Sequence, residues 1–394
     1  MILDSFQEKY GNVELLLNLD EEEGFYLKNE EEGIAQLHNP LDYKEARAKL
    51  AERNYVPEDY EVVFLLKKDI KESDITPVRY RFADGYRNIG FLIPIIALES
   101  AEHEYAQDNH FLLYSYIATV ELLKKFPQYT YIKDIYFDGN KFTISDLVSQ
   151  DLVIGIFWKK NIESFTISSL SVCLFEEGYI GLSSRLPSEL VFSKKNIETI
   201  SEEGSINTNK FSLKLLNSDI LDHFLIEKIL FIYFPYEKNP PFKFFLLYQI
   251  VELLMNYILQ NEYDLILSQL KTIQQNNIKS RDVLDKIKEF TAEKKRMSLL
   301  FNNYSSVSQE LSDLKRTSLA YVVKMIDSDI SSEKKCEEYF YLIRNFIVHN
   351  MISLNEDNND ELEEVNEHLT KVIPSILYTF KKRNLQEQIT QEGV

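Results

Sequence analysis

The sequence predicts an α+β N-terminal domain followed by an all-α helical bundle, and three observations carry that prediction. A chain of 394 residues exceeds the usual size of a single hydrophobic core. Ten of the eleven glycines lie before residue 205, and from Phe242 to Glu392 there is no glycine and one proline, Pro374. Hairpins need Gly, Asn and Pro at their turns, so a segment of that length without them reads as helices. Between Tyr129 and Ile200, by contrast, short β-branched and aromatic runs alternate with turn signals such as Asp138-Gly139-Asn140 and Glu176-Glu177-Gly178.

In chain order, Leu41–Arg53 has the pattern of a capped helix and Tyr60–Leu66 that of a strand. Asn109–Phe126 has helical periodicity and should end at Pro127. The runs Tyr131–Phe137, Leu152–Trp158, Ser164–Phe175 and Glu189–Phe192 read as strands. The polar stretch Ser201–Asn209 is the natural linker, which gives domains of residues 1–205 and 206–394. A helix is expected over Lys210–Tyr236, broken at Asn239-Pro240-Pro241, and an apolar helix from Phe242 to about Gln260. Amphipathic segments follow at Leu265–Gln275, Ser280–Leu300, Ser306–Met325, Ser332 to about Ile352, and Asp360–Arg383. Short connections between such helices make an antiparallel bundle.

Composition narrows the class. Hydrophobic residues at 44% and aromatics at 13% exclude a disordered chain. Two cysteines, Cys173 and Cys336, make neither a disulfide framework nor a metal cluster and suit a reducing compartment. The first residues lack a basic leader, and the apolar stretches are short or interrupted by charge, so a soluble cytoplasmic protein is expected. The net charge of −19 argues against nucleic acid at first sight, because phosphate contacts need Lys and Arg. Its distribution matters more. From Pro241 to Val394 there are 19 Lys+Arg against 23 Asp+Glu, and the rest of the chain holds 25 against 40. The acidity sits in the N-terminal domain, in runs such as Asp20–Glu23 and Glu30–Glu32, which read as solvated surface or as a dock for a basic partner.

One helix carries chemistry. In Glu337–Ser353 (EEYFYLIRNFIVHNMIS) the residues Tyr339, Phe340, Ile343, Phe346 and Ile347 share a broad core face. Asn345 and His349 are spaced i,i+4 on a different face, and Arg344 lies at the edge of that polar sector. A cation, an amide and an imidazole thus come from one patch. The plain alternatives are a surface histidine and an arginine paired with Glu337 or Glu338. Other clusters are weaker. His103 and His110, with Glu102, Glu104 and Asp108, have a two-turn spacing but no third metal ligand. Lys210–Lys214, Lys294–Arg296, Lys315-Arg316 and Lys381–Arg383 read as solvated faces or, jointly, as an RNA track.

The stretch Arg344-Asn345-Phe346-Ile347-Val348-His349 resembles the Arg-polar-x3-His form of the R-x4-6-H motif of HEPN-superfamily ribonucleases. The resemblance covers roughly residues 208 to 390 and includes an apolar opening helix with an internal glutamate, Glu252. It implies a HEPN-like bundle acting as a metal-independent endoribonuclease without cofactor or metal. Arg344, Asn345 and His349 would be catalytic and Glu252 would orient, in contact with Arg344. It also implies a homodimer that joins two motif helices about a twofold axis, with RNA as substrate. Proteins of this organisation resemble toxins and abortive-infection effectors of anti-phage defence. In that setting the acidic domain would sense a protein or phage-derived trigger, with no membrane involved. Met351 stands where the nucleotidyl-modified toxins of this superfamily carry a tyrosine. The alternative is a non-catalytic HEPN-like module for dimerisation or RNA binding.

Overall fold

The run Leu152–Trp158 (LVIGIFW) is apolar on both faces, and such a strand belongs at the centre of a sheet rather than at its edge. In the computed structural model it is flanked on both sides. The structure describes residues 13–17, 25–29, 33–52, 56–129, 141–160, 162, 165–182, 211–217, 219–220, 223–272, 280–307, 311–350 and 360–383. These fall into two compact units, one within residues 1–170 and 177–214, the other within 171–176 and 215–394. The expected linker, the expected strands at Tyr131–Phe137 and Glu189–Phe192, and the 205/206 boundary lie outside the described residues.

The first unit is α+β. Its strands are β1 (Val13–Leu17), β2 (Phe25–Asn29), β3 (Gly33–Leu37), β4 (Tyr60–Leu66), β5 (Thr76–Phe82), β6 (Gly85–Pro94), β7 (Lys141–Phe142), β8 (Leu152–Trp158), β9 (Ile180–Gly181) and β10 (Phe211–Ser212). They form a sheet ordered β1-β2-β3-β7 and a second ordered β10-β5-β6-β8-β4-β9. β8 is antiparallel to both neighbours, with Tyr60↔Trp158 and Leu66↔Leu152 on one side and Gly90↔Phe157 and Pro94↔Val153 on the other. The helices are α1 (Lys44–Glu52), α2 (Asn109–Tyr129), the short α3 (Ile144–Leu147) and the first residues of α4 (Ile167–Glu176), which from Ser171 onward belongs to the second unit. Asp108 caps α2, its Oδ1 accepting the N–H groups of His110 and Phe111 at 2.7 and 2.9 Å. The helix runs two residues beyond Pro127, which therefore lies in its last turn rather than ending it.

Ser164–Phe175 is the clear reversal: α4 occupies most of the expected strand. Thr166 Oγ1 accepts the Ser169 N–H, and Ser169 Oγ accepts the Thr166 N–H, both at 3.1 Å. That reciprocal cap starts a helix where the β-branched composition alone suggested a strand.

The second unit is helical: α5 (His223–Glu227) continuing into a π-helical stretch (Lys228–Tyr233), α6 (Pro240–Thr272), α7 (Ser280–Thr291), α8 (Glu293–Leu299), α9 (Leu311–Met325), α10 (Cys336–Asn350) and α11 (Asp360–Thr379). The expected helix over Lys210–Tyr236 thus begins only at His223; Phe211 and Ser212 pair instead with Val78 and Arg79 as a strand of the first unit. The long helix α6 merges two expected ones. Its 33 residues span about 50 Å at 1.5 Å per residue. Between the two expected helices, Glu262 faces inward: it is fully buried, accepting the Tyr304 hydroxyl at 2.7 Å and lying 3.3 Å from the Arg383 guanidinium. Among the described residues one segment, Pro240–Ser268, is long and apolar enough to cross a membrane by length and composition, a test that the core helix of a bundle also meets. Here Phe244, Leu247, Val251, Leu254, Met255 and Ile258 put its apolar face into the core of the bundle, against α10 and α11.

Candidate active site on the motif helix

Helix α10 begins with a capping contact, the Glu338 carboxylate accepting the Lys335 N–H at 3.2 Å. Its core face is the expected one: Tyr339, Phe340, Ile343 and Ile347 are buried, and Phe346 packs partly buried with its ring edge-on to Tyr321. The Phe340 ring packs against the adjacent rings of Phe244 and Tyr248 on α6, at 5.2 and 5.6 Å between centroids. This packing fixes the rotation of α10 and hence the direction of its polar sector.

Arg344 and Asn345 meet. Arg344 Nη1 donates to Asn345 Oδ1 at 2.9 Å. The rest of the guanidinium is also held: its Nε lies 3.4 Å from Glu293 Oε1 at the start of α8, and its carbon stands 5.6 Å from the centre of the Tyr248 ring. The Tyr248 hydroxyl donates to the same Glu293 oxygen. Burial, reinforced by that bond to Glu293, pushes the Tyr248 phenol well above its ordinary range, so it stays a donor. Arg344 Nε makes no hydrogen bond among the described residues, so its tie to Glu293 is electrostatic. About a quarter of the Arg344 side chain remains exposed.

His349 lies one turn beyond Asn345, exposed, near the end of the helix. Among the described residues it has no hydrogen-bond or ion-pair partner. The structure therefore joins Arg344 to Asn345 and leaves His349 facing outward. Glu252, expected to contact Arg344, accepts instead from Gln249 Nε2 at 3.4 Å, one turn earlier on its own helix. The carboxylate beside Arg344 is Glu293. Glu337 and Glu338 are not its partners either: Glu337 accepts from Ser298 and Asn302, and Glu338 pairs with Lys294. Nothing in the sequence ties Glu293 to Arg344, because the two are 51 positions apart on helices whose mutual orientation is set by packing.

The weaker candidates resolve into structure. His103 Nε2 lies 3.0 Å from the Ala97 carbonyl oxygen and its ring is edge-on to Phe111, while the His110 ring packs on Phe91 and Tyr114. No group of three potential metal ligands exists among the described residues. Several of the basic residues are ion-paired: Lys294 with Glu338, Lys295 with Glu289, Arg316 with Asp313 and Arg383 with Glu262. Comparison of the chain with protein-family models, with curated proteins and with solved structures gives no match.

Proposed function

We propose that the helical unit is a metal-independent endoribonuclease, with Arg344, Asn345 and His349 as the groups that act on RNA. The observation that carries this reading is the hydrogen-bonded Arg344–Asn345 pair with an exposed imidazole one turn further along the same helix. In the proposed reaction the ribose 2′-hydroxyl gives up its proton and its oxygen attacks the adjacent phosphorus. The bond from phosphorus to the 5′-oxygen breaks, and that oxygen takes a proton. The products are a 2′,3′-cyclic phosphate and a 5′-hydroxyl. His349 moves one of the two protons, since imidazole exchanges protons near neutral pH. Arg344 stabilises the charge growing on the phosphoryl oxygens with the edge of its guanidinium that Asn345 and Glu293 leave open, and Asn345 fixes that edge in place. One such helix supplies a single imidazole, so the complete site takes a second copy in isologous contact through α10. The resemblance to HEPN toxins and abortive-infection effectors supports a role in anti-phage defence, in which the α+β unit would sense a protein or phage-derived trigger.

A second reading has an observation of its own. The Arg344 charge is already met by Glu293 and the Tyr248 ring, as a structural arginine's would be. This favours a non-catalytic HEPN-like module for dimerisation or RNA binding. Incubation with tRNA or total RNA in the presence of EDTA separates the two. Cleavage that survives chelation, leaves cyclic phosphate ends and disappears in His349→Ala and Arg344→Ala supports the ribonuclease. RNA retained but intact supports the module.

A further inference from the structure

The hairpin of β5 and β6 continues past the sheet to which it belongs. Among the described residues β10 pairs with β5 only at Val78 and Arg79, and β8 pairs with β6 only from Gly90 to Pro94. Beyond those limits the two strands pair, among the described residues, only with each other, from Tyr80↔Arg87 to Phe82↔Gly85. A register shift between Val78 and Arg79 marks the place where the ribbon leaves the sheet, and there Asn88 Oδ1 accepts the Gly90 N–H at 3.0 Å. A bulge at such a point sharpens the twist and re-aims the ribbon. Gly85, at φ 131°, closes the turn, and the space where a Cβ would stand is open.

A bare two-stranded ribbon buries little and adds little stability, so what it displays matters. The segment Thr76–Gly90 (TPVRYRFADGYRNIG) holds three arginines and one carboxylate, in a chain with 44 Lys+Arg and 63 Asp+Glu. Arginine alternates with aromatic residues, and the period of two sorts them by face. On one face the Arg81 guanidinium stands over the Tyr86 ring at 6.0 Å. On the other, Arg87 stands over the Phe82 ring at 5.4 Å, and Phe82 meets Tyr80 edge-on at 5.1 Å. Arg81, Arg87 and Asn88 are exposed, and Tyr86 is 58% exposed. Arg87 also pairs with Asp84 in the turn, which holds its guanidinium over the ring.

We propose that this ribbon is a docking arm for single-stranded nucleic acid, with bases stacking on Tyr86 and on the guanidinium planes and phosphates drawn to Arg81 and Arg87. The chemistry selects the occupant. Flat rings and cations displayed together serve a ligand that is both stackable and anionic, and every base offers a stacking face. An acidic peptide would answer the cations and leave the exposed tyrosine unused. A purely apolar partner would have to desolvate both arginines. The local reversal of charge, in an acidic chain, points the same way.

The proposal is independent of cleavage at Arg344, and the two fail separately. The test titrates a fluorescein-labelled uridine oligonucleotide of about 12 nucleotides with the full chain carrying Arg344→Ala, so that no cleavage can intervene, and follows anisotropy at several salt concentrations. The expected result is binding that weakens about tenfold in Tyr86→Ala with an unchanged salt slope and is retained in Tyr86→Phe. In Arg81→Ala/Arg87→Ala the binding should weaken and the slope of log K against log salt should flatten by about 1.4. All three side chains are exposed, so circular dichroism should match the parent in each variant. No binding by the parent, or arm variants that bind as tightly as it does, overturns the proposal; a protein-docking arm would give the first of these outcomes.

Discussion

Replacing Glu293 with glutamine removes the charge beside Arg344 and keeps the shape, and the cost can be worked from the geometry. At 3.4 Å and an effective dielectric constant of about 20, the gross attraction is about 5 kcal/mol. Most of that is offset, because both groups gave up water to meet and each keeps roughly a fifth to a quarter of its side chain exposed. Exposed pairs contribute about 0.2–1 kcal/mol, and breaking a fully buried pair costs about 3–5 kcal/mol. A pair intermediate in burial should give a coupling of about 1–2 kcal/mol in a double-mutant cycle of Glu293→Gln with Arg344→Gln. Trp158, the single tryptophan, lies on β8 in the first unit, whereas helical dichroism comes chiefly from the second. Urea unfolding followed by both signals therefore assigns the loss to the unit that suffers it. A coupling below about 0.3 kcal/mol, or a shift confined to the tryptophan transition, would refute the reasoning. The same variant bears on function: Glu293→Gln frees the Arg344 charge for a phosphate, so RNA affinity should rise about threefold to tenfold while Arg344→Gln lowers it.

Glu262 and His103 give two further predictions. Glu262→Ala removes a fully buried carboxylate from beside Arg383, whose side chain is 12% exposed, and takes one acceptor from the Tyr304 hydroxyl; the helical unit should lose about 3–5 kcal/mol in urea unfolding, and Glu262→Gln clearly less. For His103, burial pulls the imidazole below its ordinary 6.5, against the opposing pull of the Ala97 carbonyl and of Glu72 and Glu104, and among the described residues its buried Nδ1 has no hydrogen-bond partner. A histidine with a lowered folded value binds fewer protons folded than unfolded, so its neutral form costs nothing above about pH 6.5 and stability falls as the pH drops below that. The tryptophan transition should move to lower urea between about pH 7 and pH 5, and the shift should shrink in His103→Gln; an equal slope in that variant removes His103 as the cause.

How far the sequence revealed the fold depended on whether a segment's own residues decided its state. Tyr60–Leu66 and Leu152–Trp158 were legible to the residue, because short runs rich in β-branched and aromatic residues, between turn signals, have the pattern of strands. The helical half was legible from its missing glycines, and helix ends were not, since ends depend on caps. Ser332 was expected to open the motif helix, but the Glu338 contact with the Lys335 N–H starts it at Cys336. The ribbon of Thr76–Phe82 and Gly85–Pro94 went unread although Val78, Tyr80 and Phe82 alternate with Arg79 and Arg81 in the period of a strand. The same alternation sorts the arginines and rings by face and gives the ribbon its proposed use.

The motif helix shows the same limit at the level of a site. Periodicity placed Arg344 and Asn345 at the edge of one polar sector, and the long arginine did reach its neighbour. What it could not give was the third partner. A guanidinium leaving a helix can be met by any carboxylate that tertiary packing brings within reach, and Glu252 and Glu293 were equal candidates on chemistry alone. The choice was made by packing, in which Phe340 lies against the rings of Phe244 and Tyr248 and seats α10 on α6. Tyr248 then lies under the guanidinium and donates its hydroxyl hydrogen bond to the carboxylate of α8, so one aromatic side chain joins the core to the polar patch. Tyr248→Phe tests that link directly. It keeps the ring under Arg344 and removes the donor from Glu293, which should strengthen the carboxylate's hold on the arginine. RNA affinity should therefore fall in Tyr248→Phe and rise in Glu293→Gln, whereas a purely structural role for both residues would move the two variants in the same direction.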